Sequence, residues 1–103
     1  MQTMIQKALN TTIDNWEKMK ESREEHAEED ANQFEASFYE LMEQIRRWIH
    51  QMPARPKSLD EALLLPELEE VVAILPPELY LNFETELELI IEGETRMEDA
   101  KYD

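Results

Sequence analysis

"LYLNFETELELII", residues 79–91, can be read as a strand or as a helix, and the choice settles the fold class. Every second residue from Leu79 to Ile91 is apolar except Thr85, the alternation of a half-buried strand. The same stretch places Leu79, Phe83, Leu87 and Ile90/Ile91 on one helical stripe. Both readings leave a row of glutamates facing outward with no lysine or arginine beside it. The residues in front of it favour the helix. In "LPPEL", residues 75–79, Pro77 suits the first helical position, and Glu78 complements the positive end of the helix dipole. Proline rarely leads into a central strand, and no other segment alternates to supply a partner strand. A strand here would need that partner from another chain. The spacing therefore predicts a helix over 77–98. Leu81 and Leu89 then fall away from the main stripe, semi-exposed, as a second contact surface.

Upstream, nothing interrupts the chain before Pro53: no proline or glycine precedes it, and Gly93 is the only glycine. That absence points to long helices. Ile5, Leu9, Thr12, Trp16 and Met19 form one 4-3-4-3 seam. Phe34, Phe38, Leu41, Ile45, Trp48 and Met52 form a second. Ala8, Ile13, Met42 and Ile49 widen the two seams. Between them runs "KESREEHAEEDANQ", whose only apolar residues are Ala27 and Ala31. Asp30-x-x-Gln33 and Asn32-x-x-Glu35 both have capping-box spacing. They place a turn near Glu28–Asn32 and make residues 3–52 an antiparallel helical hairpin. The alternative is an unbroken rod of about 50 residues and roughly 75 Å, which a partner chain would have to cover.

Pro53 ends the second helix and residues 53–57 are a linker, since proline lacks an amide donor and disfavours helix in the residue before it. Ser58-x-x-Glu61 is a further capping box. It opens short helices over 58–75, with Pro66 in the first turn of the second. The predicted fold is all-α within a single domain, residues 1–103. It comprises a hairpin of two long helices, a short helix or helix pair, and a C-terminal helix, an irregular four-helix bundle.

Composition narrows function more by exclusion. Residues 1–57 hold 11 acidic and 8 basic side chains; residues 58–103 hold 14 and 2. The second half thus carries −12 of the net −15. Such a surface repels nucleic acid and anionic lipid, both polyanions, so neither is an expected partner. The longest apolar runs, Ala62–Leu65 and Val71–Leu75, are too short to span a bilayer. The N-terminal "MQTMIQKALN" has no apolar core of a signal peptide. With no cysteine in the sequence, the expected location is cytoplasmic.

Catalytic templates fail for lack of parts. One glycine cannot build a phosphate-cradling loop, no thiol nucleophile exists, and no serine has a Gly-x-Ser-x-Gly context. Di-iron chemistry wants Glu-x-x-His pairs, but Arg23 and Arg47 stand three residues before His26 and His50. His26 with Glu29 and Asp30 is better read as a solvated histidine on a charged helix than as a metal site. No catalytic residue, metal or cofactor is expected.

Two candidate surfaces remain. Arg46, Arg47, Arg55 and Lys57 form a basic patch without an intervening acid. Its simplest role is to complement a helix C-terminus. Leu81 and Leu89, with Glu84, Glu86, Glu88 and Glu92, form a candidate partner-binding surface. The expected function is a small non-enzymatic adaptor or regulator that binds another protein, with a homodimer as a further expectation. The alternative is an acidic mimic of nucleic acid, its carboxylates standing in for phosphates, in which Glu67, Glu69, Glu70 and Glu94 would join that glutamate set.

Overall fold

The computed structural model describes residues 3–100 in their backbone and 3–93 in their side chains. Its helices are α1 (Thr3–Lys20), α2 (Ala27–His50), α3 (Leu59–Leu63), α4 (Pro66–Ile74) and α5 (Tyr80–Ala100), with a 3-10 turn at Pro77–Leu79. No strand occurs among the described residues. The fold is all-α, and residues 80–91 are helix rather than strand. The chain divides into two compact units, residues 1–45 and 46–103.

In the first unit, α1 and residues 27–45 of α2 form an antiparallel hairpin. Three ties fix the direction. Thr12 Oγ1 donates to the Ser37 carbonyl at 3.0 Å, and Asn15 Nδ2 donates to the Gln33 carbonyl at 3.4 Å. Lys18 Nζ lies 3.7 Å from Asp30 Oδ1. As the number rises along α1 it falls along α2, so the two helices are folded back and the continuous rod is excluded. Ile5, Leu9, Phe38, Leu41, Met42 and Ile45 are buried, the centres of both predicted seams. Thr12, the polar member of its seam, is fully buried. Its hydroxyl also lies 2.8 Å from the Ala8 carbonyl, so one proton serves two backbone acceptors.

The turn is not where capping spacing places it. It occupies residues 21–26, and α2 begins at Ala27, so Glu28–Asn32 lies inside the helix. His26 N donates to the Arg23 carbonyl, and the His26 carbonyl accepts from Asp30 N, both at 2.9 Å. Glu28, Glu29 and Asp30 are therefore the first turn of α2. There their charge complements the positive end of the helix dipole, which supports helix rather than ending it. Ala27 and Ala31 add strong helix propensity. Asp30 is itself buried, with Lys18 as its counter-charge.

Trp16 and Trp48, both seam residues, are only half-buried. Trp16 packs against Phe34 with ring centroids 5.2 Å apart, and Lys20 Nζ lies 6.0 Å from its ring. Trp16, Phe34 and Lys20 lie toward the turn end of the hairpin. Among the described residues, Trp16 Nε1 is the one buried side-chain polar atom without a hydrogen-bond partner.

The second unit starts with the last turn of α2. Arg55 Nε and Nη2 donate to the His50 carbonyl at 3.2 and 3.0 Å, capping that helix end. Ser58 is the N-cap of α3 in extended backbone, its Oγ accepting from Glu61 N at 3.2 Å. Glu61 returns a carboxylate to the Lys57 amide at 2.6 Å. The capping box thus forms as its spacing predicts, with the return bond one residue earlier than the usual pattern. Pro66 opens α4 and Pro77 opens the 3-10 turn, each in the first turn of its element. Within this unit α3 contacts α4 and α5. Ile49, Ala62, Leu68, Val71, Leu75, Leu79, Phe83, Leu87 and Ile91 are buried. No helix among the described residues is long and apolar enough to cross a membrane.

Candidate functional site

The candidate surface is made by the way α5 starts. After Leu75 the backbone is extended, and Leu79 N donates to the Pro76 carbonyl at 2.9 Å. The Tyr80 amide then reaches the Pro77 carbonyl, and α5 follows without a break. This start sets the rotation of the whole helix. Leu79, Phe83, Leu87 and Ile91 recur at every fourth position, and each is buried.

An α-helix turns about 100° per residue. The row two positions on, Leu81–Thr85–Leu89–Gly93, therefore lies about 200° from the core row, on the opposite side. All four of its residues are exposed. Leu81 is 74% and Leu89 56% exposed, among the most exposed large apolar side chains in the chain. The "semi-exposed" expectation for these leucines understates the outcome. They stand diametrically away from the core.

Glutamates flank the row on both sides. Glu84, Glu88 and Glu92 share the next row, Glu88 and Glu92 exposed and Glu84 half-buried. Glu86, half-buried, lies on the other flank. Like charges four residues apart on a helix repel, each pair costing a few tenths of a kcal/mol. Residues 80–93 contain no lysine or arginine to offset this. The helix brings Leu81, Leu89, Glu88 and Glu92 into one outward-facing half and leaves Glu84 and Glu86 at its margins. Glu94 lies outside the described side chains.

The basic patch has a different character. Arg55 is spent on the end of α2, as the dipole reading expects. Arg46, Arg47 and Lys57 also engage groups of the chain. Trp48, among them in sequence, is half-buried rather than presented as a stacking platform.

The hairpin holds two concavities. One, about 450 Å³, lies at the α1–α2 turn, where Lys18, Arg23 and His26 face Glu21, Glu29 and Asp30. The other, about 220 Å³, lies between Met4, Ala8 and Thr11 on α1 and Ser37, Glu40 and Gln44 on α2. In the second, Gln44 Nε2 donates to Glu40 Oε1 at 2.7 Å. Neither gathers three or more histidine or carboxylate side chains able to hold a metal; no such group occurs among the described residues.

Sequence reasoning missed other exposed apolar side chains: Leu64 at 73%, Tyr39 at 56%, Met4 at 49% and Ile74 at 47%. A signal existed for two of them. Leu63, Leu64 and Leu65 are consecutive, as are Val71 to Leu75, and a helix turning about 100° per residue cannot bury every member of such a run.

Comparison of the chain with protein-family models, with curated proteins and with solved structures finds no match.

Proposed function

We propose that this chain is a non-enzymatic interaction module, an adaptor or regulator, that docks another protein on the outer row of α5. One observation carries the reading. Two leucines stand exposed on the side of α5 opposite a row that already satisfies the core. Core burial gives no reason for them, since neither side chain is removed from water. The missing catalytic parts support a binding role: no cysteine, a single glycine, and no serine in a Gly-x-Ser-x-Gly context. A second reading, an acidic mimic of nucleic acid, draws on the row Glu84–Glu88–Glu92. It accounts for the charge and leaves the leucines unexplained.

Site-specific crosslinking in host cells tests the proposal. A photoreactive residue replaces Thr85, in the middle of the outer row, or Thr11, exposed on α1. The expected result is a discrete adduct with another protein from position 85 and none from position 11. No adduct from position 85 contradicts the reading.

A further inference from the structure

We infer that the partner presents a basic amphipathic helix, which lies along the outer row of α5; this rests on the reading of α5 as the docking face. Three features of the row describe its occupant.

The first is relief. Leu81, Thr85, Leu89 and Gly93 run large, small, large, absent along one i, i+4 ridge. The leucines are about 12 Å apart along the axis, at 1.5 Å per residue. Helices pack by seating the ridges of one in the grooves of the other. A partner helix with apolar residues about two turns apart matches two knobs and the two gaps beside them. A strand presents a pleated face without such helical ridges and grooves.

The second is Gly93. It is the only glycine in the chain and lies inside a helix, where glycine is the poorest ordinary residue after proline. The fold does not require it. No glycine has positive φ, and a Cβ added at Gly93 would meet nothing within 4 Å. A missing side chain on an exposed ridge serves close approach by something else.

The third is charge. The row is flanked by Glu84, Glu88 and Glu92 on one side and Glu86 on the other, in a half-chain of net −12. A second copy of this chain would bring the same glutamate rows against them. Nucleic acid and anionic lipid would be repelled as well. A helix with lysine or arginine bordering its apolar stripe is attracted along both flanks while its apolar residues cover the leucines.

The full chain is titrated with a labelled lysine–leucine peptide of about 18 residues, long enough to form helix, with its leucines on one helical face. A scrambled peptide of the same composition is the control. The helical-face peptide is expected to bind about tenfold or more tighter than the scrambled one. Leu81→Ser with Leu89→Ser should lose that preference at an unchanged melting temperature. Glu84→Gln, Glu88→Gln and Glu92→Gln together should weaken binding and flatten its salt dependence. Equal binding of the two peptides would overturn the inference and leave charge alone, the behaviour of an acidic mimic. Binding of neither peptide, or wild-type affinity in the double leucine variant, would overturn it too. The scrambled-peptide comparison needs no variant, so it stands even where a substitution perturbs folding. The crosslink at position 85 separates the two levels. An adduct without peptide preference removes the basic helix and keeps the docking face. Peptide preference without an adduct removes the adaptor reading and keeps the chemistry of the row.

Discussion

The α1–α2 hairpin and helix α5 both bury a regular apolar stripe, and they treat their outward sides differently. Along the hairpin the exposed residues carry both signs: Lys7, Asp14, Glu17, Lys18, Lys20 and Glu35 are all exposed. The helices are tied across by hydrogen bonds from Thr12 and Asn15 and by the Lys18–Asp30 pair. On α5 the outward side holds leucine, threonine, glycine, asparagine and glutamate, with no cation among residues 80–93. The hairpin's outer surface also exposes Met4 and Tyr39, but among charges of both signs. That of α5 combines exposed apolar area, mutual repulsion and a helix-weakening glycine, three features that each work against stability. The contrast teaches where to look: an inner face is dictated by the core, so an outer face that departs from what stability favours reports on something outside the fold.

That contrast can be broken most forcefully from within α5. Phe83 is fully buried, so Phe83→Ala should cost about 3–5 kcal/mol in a denaturant melt. A loss under about 1 kcal/mol would mean that the row Leu79–Phe83–Leu87–Ile91 is not the core row. Glu86→Pro comes next. Within a continuous helix it should cost about 3 kcal/mol or more and reduce helical circular dichroism. Unchanged melting and helicity would remove the helix on which the outer row is drawn.

The smaller effects sharpen the comparison. Gly93→Ala should raise stability by up to about 1 kcal/mol, because helix propensity is the only term that changes where the new Cβ has no neighbour. A destabilised Gly93→Ala protein would show that the glycine serves the fold after all. Leu81→Ser, at a position 74% exposed, should shift stability by no more than about 0.5 kcal/mol. A large loss there would place Leu81 in a core and end its role as a free knob.

Much of this architecture was legible in residue order. Proline at 53, 66 and 77 marked where helices stop and restart, because a residue without an amide donor fits only a first turn or a break. The alternation over residues 79–91 was ambiguous until "LPPEL" was weighed, since a period of two and a period of 3.6 share several positions over a dozen residues. The hairpin turn was misplaced because the acidic run from Glu24 to Asp30 looks equally like a loop and like a dipole-compensated first turn. Only packing against α1, through Trp16–Phe34 and Lys18–Asp30, separates the two. For the outer row, Leu81 and Leu89 stood out as surplus to the core stripe. Their row with Thr85 and Gly93 follows from i, i+4 spacing, and that the whole row faces away from the core depends on the rotation of α5 in the fold.

Whether the outer row of α5 is shaped for a partner rather than for the fold is decided by Gly93→Gln. The variant is measured twice, for melting temperature and for affinity toward the lysine–leucine helical peptide. Glutamine is a better helix former than glycine, and its side chain fills the gap at the end of the row. A row shaped for a partner gives a higher melting temperature together with an affinity reduced about tenfold, equivalent to about 1.4 kcal/mol. A Gly93→Gln protein that melts higher and binds the peptide as tightly as wild type would contradict it.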